Sequence, residues 1–170
     1  MRKSWLLVVV AVLGEVTAVR GGAAVGESDS SAADVRAQVD RTMGAFAAMD
    51  AAGFEAGLAE DVVGFEMDLE SKPVRLGSRG EAVKYADEMF AQLKGMGARL
   101  SLDVHSNECE RSAELAYCTI EFDFKAAMEN GDMMVQPSRN TVVLRRRDGR
   151  WEWVHWHSSL AAVVPPASSE

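Results

Sequence analysis

The sequence predicts an α+β domain, with helices packed against one face of a curved antiparallel sheet. Three observations carry this. Apolar residues recur at helical spacing in the first half of the chain, notably over 32–49. From residue 99 onward the period switches from 3.6 to 2. Asp148-Gly149 between two strand-like runs is the strongest hairpin signal in the chain. Helices followed by a long meander of strands is the α+β pattern.

Val35, Val39, Met43 and Phe46 draw one apolar stripe along a first helix. Asp50 caps a second helix running to Glu60, with Phe54 and Leu58 inward, and Gly53 and Gly57 make it brief. Residues 62–69 read as a strand with Val63, Phe65, Met67 and Leu69 on one face. Pro73 keeps the next piece off a central strand. Ser78 and Glu81 form the S-x-x-E box of a third helix, with Val83, Ala86, Met89, Phe90 and Leu93 inward and Gly95 and Gly97 as its stop. Leu100, Leu102 and Val104 then alternate. Ala116, Cys118, Ile120, Phe122 and Phe124 alternate against Tyr117, Thr119, Glu121 and Asp123. The runs 140–147 and 150–160 make the closing hairpin.

At 170 residues this is one domain with an appendage. Arg2 and Lys3, the apolar run Trp5 to Leu13, and small-residue cleavage sites ending at Ala18 and Ala24 together predict a signal peptide over 1–24. That run is too short to span a membrane, which needs about 20 apolar residues. Export to the periplasm or the extracellular space is expected. A linker follows at 25–31, then the domain at 32–160 and a disordered tail at 161–170. Losing residues 1–24 leaves 15 basic against 25 acidic residues, a charge of −10. So acidic a chain is unsuited to nucleic acid or anionic lipid, whose binding draws on Lys and Arg. Cys109 and Cys118 flank a tight turn. They read either as a disulfide or as buried small hydrophobes.

A two-residue turn at Asp148-Gly149 pairs Arg146 with Trp151, Leu144 with Trp153, Val142 with His155 and Asn140 with His157. This places Trp151, Trp153, His155, His157 and Ser159 on one face, and Val154, Trp156 and Leu160 on the other. With large apolar groups on both faces, one face meets the helices or a cavity, and a homodimer through the sheet is the economical account of the other.

The segment DGRWEWVHWHSS, with LDVHSN and AELAYCTIEFDF before it, resembles the closing strands of the SnoaL-like, nuclear transport factor 2-like superfamily. It is especially similar to the association domain of calcium/calmodulin-dependent protein kinase II. The resemblance covers about 32–160. It implies a cone-shaped curved sheet wrapped around two to three N-terminal helices, with a pocket between them and frequent dimers or larger rings. It implies no single activity, because the superfamily holds cyclases, isomerases, dehydratases and pure binding modules. That association domain carries pocket arginines on its central strands. Thr119 and Val142 stand at the matching positions here, which speaks against an arginine-clamped carboxylate ligand.

The expected pocket residues are Tyr85, Tyr117, Thr119, Glu121, Val142, Trp153, His155 and His157. His155 and Glu121 are the candidate catalytic pair, since an imidazole oriented by a carboxylate can shuttle a proton near neutral pH. Asp123 is an alternative orienting group, and Asp68 reads as a loop cap. His155 and His157 with His105 do not make a recognisable metal pattern. No phosphate loop, G-x-S-x-G elbow or C-x-x-C is present, and no cofactor is expected. Three functions stay open: a secreted module binding a small organic ligand in an apolar pocket, a cofactor-independent lyase or isomerase, and a structural oligomeriser with a plugged cone.

Overall fold

The computed structural model describes residues 32–70 and 72–161. The leader, the linker and all of the tail beyond Ala161 lie outside the described residues.

Helix α1 spans Ala33–Ala47 and buries Val35, Val39 and Met43 along the stripe read from the sequence. Asp50 caps α2, Ala51–Glu55, by accepting from the Gly53 N–H at 3.0 Å. This helix is shorter than expected. Gly57 passes so close to α1 that a Cβ there would stand 2.1 Å from Thr42 Oγ1, and the chain is already extended by Leu58. Strand β1, Leu58–Met67, therefore starts four residues before the expected 62. A short β2, Pro73–Leu76, pairs with it at the sheet edge. Helix α3, Arg79–Gly95, opens on the expected box: Ser78 Oγ accepts from Glu81 N–H at 3.2 Å, and the Glu81 carboxylate accepts from Gly77 N–H at 2.7 Å. It closes before Gly97, which sits at φ 65°. Strands β3, Arg99–Arg111, β4, Leu115–Ala127, β5, Met133–Arg147, and β6, Arg150–Leu160, complete the chain.

The six strands lie in the order β2-β1-β6-β5-β4-β3, curved and unclosed, with the helices against the concave face. All neighbours are antiparallel except β1 and β6, which run parallel, so the sheet is mixed. Burial alternates along β4 as the sequence requires: Ala116, Cys118, Ile120, Phe122 and Phe124 point into the core. Cys109 and Cys118 stand opposite each other across β3 and β4 and form a disulfide.

The closing hairpin corrects the expected register. Arg146 pairs with Trp151 and Leu144 with Trp153 as derived, but the next pair is Val143 with His155. Val154 is an extra residue on β6, a bulge that turns every later side chain to the opposite face. Val142 therefore pairs with Trp156, and Asn140 with Ser158. Trp156 is 3% exposed and lies in the core, so it offers no surface to a second chain. His155 and His157 face outward. A parallel correction holds on β1, where Val62 and Gly64 are buried and Phe65 is 41% exposed, so the inward set is Val62, Gly64 and Glu66.

Candidate functional site

Between the concave face and the helices lies a cavity with about 760 Å³ of atom-free space, its open mouth included. Helices α1 and α2 supply Thr42, Met43, Phe46 and Phe54, and α3 supplies Met89. The far wall is Leu102, Phe122 and Phe124 from β3 and β4. The polar groups come from β5 and β6, as Gln136, Ser138, Asn140 and Ser158, beside Trp153 and Trp156. Glu66, at the end of β1, is the acid within this wall, with Asp68 just beyond it.

Glu66 is held on three sides. Its Oε2 accepts from Trp156 Nε1–H at 3.1 Å and from the Ser158 hydroxyl at 2.8 Å. Its Oε1 accepts from the Met67 N–H at 3.0 Å. The parallel pairing of β1 and β6 causes this, because Gly64 pairs with Trp156 and the next inward residues, Glu66 and Ser158, fall side by side. Burial raises the Glu66 pKa above its ordinary value, outweighing the hydrogen bonds from Met67, Ser158 and Trp156 and the charge of His157. Tyr85 on α3 sits nearby and donates its hydroxyl to Met67 O at 3.0 Å. Burial and the negative charges of Glu66 and Asp68 push its phenol well up. Asn140 Oδ1 and Trp153 Nε1 are buried with no hydrogen-bond partner.

Of the residues named from the sequence, Trp153 lines the cavity. Val142 is fully buried in the core beneath it, and Tyr85 is half-buried beside it; neither is in its wall. Tyr117, Thr119 and Glu121 lie on the outer face of β4, with Tyr117 44% exposed. His155 and His157 lie on the outer face of β6, where their rings meet the Phe65 ring at 5.9 and 6.2 Å between centroids. Neither imidazole reaches the cavity, and Glu121 instead pairs across the sheet with Arg139. The His155–Glu121 pairing therefore does not form. His105 stands 3.3 Å from Asp123 on the outer surface. Asp68 does cap its loop, accepting from the N–H groups of Glu70 and Lys72 at 2.9 and 2.8 Å. Glu66 escaped the sequence reading because the apolar set Val63, Phe65 and Met67 claimed the inward face. The signal that could have found it is Gly64, which shares its parity and leaves room for an indole. Among the described residues no group of three His, Cys, Asp or Glu could hold a metal ion, and no helix is long and apolar enough to cross a membrane.

The SnoaL-like domain profile matches residues 35–163, three quarters of the sequence. The chain belongs to the SnoaL-like domain family. No curated protein matches it. Solved structures show the same fold. A nuclear transport factor 2-like (NTF2-like) protein of unknown function from Pseudomonas putida is 17% identical, with a TM-score of 0.65 over 80% of this chain and 90% of that one. The association domain of C. elegans CaMKII is 16% identical, with a TM-score of 0.61 over 76% and 95%. An NTF2-like protein with a cystatin-like fold from Novosphingobium aromaticivorans is 14% identical, with a TM-score of 0.61 over 78% and 82%. These likenesses bear on the fold of this SnoaL-like domain and leave its chemistry to its own residues.

Proposed function

We propose that this SnoaL-like domain is an exported protein that binds a small organic molecule in its cavity, gripping an apolar body with the aromatic wall and a polar end with the Glu66 side. The observation that carries the reading is the composition of that wall: phenylalanines, methionines and tryptophans surround a small polar set on β1, β5 and β6, the usual make-up of a small-molecule pocket. A cone plugged by its own side chains would leave no such space. The Cys109–Cys118 disulfide supports export, since such bridges persist in oxidising compartments. Homodimer formation through the outer face is supported by Phe65 and Tyr117, both exposed there. Native mass spectrometry of the protein from residue 25 onward tests binding: one co-released small molecule per subunit is expected, lost in a Ser138→Trp variant that fills the cavity. An unliganded spectrum, together with failure of any small apolar compound to bind, would overturn it.

A second reading has its own observation. A carboxyl with a raised pKa in an apolar cavity is equipped for proton transfer, so Glu66 rather than a histidine would serve as the acid or base of a lyase or isomerase. Under that reading Glu66→Gln abolishes turnover of the cavity's ligand while leaving its binding within a few fold.

A further inference from the structure

The cavity wall contains acids but no base: among the described residues that line it there is no Lys, Arg or His, whereas Glu66 and Asp68 are both present. An anionic ligand would be buried against two carboxylates with nothing to neutralise it. The hydrogen bonds on Glu66 sharpen the choice. Trp156 Nε1–H, the Ser158 hydroxyl and the Met67 N–H are all given to the carboxyl. Three donors and no acceptor form the environment of an anion. A protonated Glu66 finds no acceptor for its proton in these contacts, and an ionised one meets no base inside the cavity, the charge of His157 acting on it from the reverse face of β6. Around it stand aromatic rings: Trp153 and Trp156 with centroids 6.3 Å apart, and Phe54 at 6.4 Å from Trp156. Indole and phenyl faces attract cations, most strongly where water is excluded. Asn140 Oδ1, a buried acceptor without a donor, lies on the strand next to Ser158.

We propose that the cavity takes a lipophilic amine, bound as its ammonium ion with the charge against the Glu66 carboxylate and the hydrocarbon part along the aromatic wall. This rests on the cavity-binding reading above and names its ligand class. The ammonium supplies a counter-charge inside the cavity and a donor for Asn140 Oδ1, while Trp153 Nε1–H, a buried donor without an acceptor in the same wall, is left to other contacts. Binding couples to protonation, because the ammonium favours ionised Glu66 and opposes the burial that raises its pKa. The other titratable groups facing Glu66 are Asp68 beyond the end of β1, Tyr85 from α3, and His157 from the reverse face of β6. Helices α1 and α2 contribute none, only Thr42, Met43, Phe46 and Phe54, and β5 contributes neutral Asn140.

The test is calorimetric titration with four compounds on one skeleton: 2-phenylethylamine, 2-phenylethanol, phenylacetone and phenylacetate, from pH 5 to 8. The amine is expected to bind at least about tenfold more tightly than the others, with affinity rising about tenfold per pH unit wherever Glu66 is protonated. Buffers of different ionisation heat count the released proton. Glu66→Gln should abolish the amine's advantage over the alcohol. If that variant misfolds, the pH slope and proton count of the unaltered protein decide alone. Equal or tighter binding of the alcohol, ketone or acid overturns the inference and leaves the cavity reading standing. Binding of none of the four overturns the inference, and together with an unliganded native mass spectrum it overturns the cavity reading as well.

Discussion

The indole of Trp156 occupies the space a side chain on Gly64 would need: a Cβ there would lie 2.2 Å from Trp156 Cζ2. These residues are partners across the parallel β1–β6 pair, and the same indole donates to Glu66. Gly64→Ala must therefore push the ring out of its seat. Overpacking of this kind costs about 1–3 kcal/mol, read as a lower denaturation midpoint at unchanged slope. A variant as stable as the parent would mean that Trp156 can move freely.

Stability should fall on both sides of a mildly acid optimum, for opposite reasons. Burial raises the Glu66 pKa, so the folded state holds a proton the unfolded chain has released; stability falls as pH rises from about 4.5 through the raised value. Asp34 moves the other way. Burial pushes it up, but the Trp151 Nε1–H bond at 2.9 Å and the charge of Arg111 prevail and lower it. Asp61 is lowered by its bonds to Arg145. The contributions of these two are lost as pH drops below about 3.8 through their lowered values. Melting curves from pH 3 to 8 check this. Glu66→Gln should flatten the alkaline limb and leave the acid limb in place.

Reduction should weaken the fold. The Cys109–Cys118 bridge closes a short loop whose ends are 9 positions apart in sequence, and a loop of that length is worth about 2–3 kcal/mol. The Cys109→Ser, Cys118→Ser double variant should unfold at correspondingly lower denaturant than the oxidised protein. A midpoint unmoved by reductant would show that the bridge constrains nothing.

Replacing both His155 and His157 by alanine should leave cavity binding within about twofold, because neither ring lines the pocket. Loss of binding in this variant, with the fold intact by circular dichroism, would contradict the placement of the site on the inner face. Phe65→Glu places a charge between the two imidazoles and tests the outer face as a contact. Sedimentation should shift toward the monomer if two copies meet there.

Much of the fold was legible because it rests on local rules. The Val35, Val39 and Met43 stripe, the Asp50 cap, the Ser78–Glu81 box and the alternation along β4 depend on neighbours a few residues away. Each appears in the structure as read. The site was less legible because it depends on long-range geometry. The parallel contact of β1 with β6 joins residues some ninety positions apart, and no local pattern announces it. Without that contact, Glu66 is a polar residue interrupting an apolar strand. The bulge at Val154 is equally silent, because the hairpin arithmetic is correct from the turn to Trp153 and fails at the next step. Trp153 kept its expected face because it precedes the bulge, while His155 and His157 follow it.

That bulge has a consequence for how such a pocket could change over time. Taking Val154 into regular pairing would turn the two imidazoles inward and the indole and serine that grip Glu66 outward, whereas deleting its codon would remove the bulge and leave all four on their present faces. One strand thus encodes two alternative linings, an acid held by an indole or a pair of histidines, separated by one residue of pairing register.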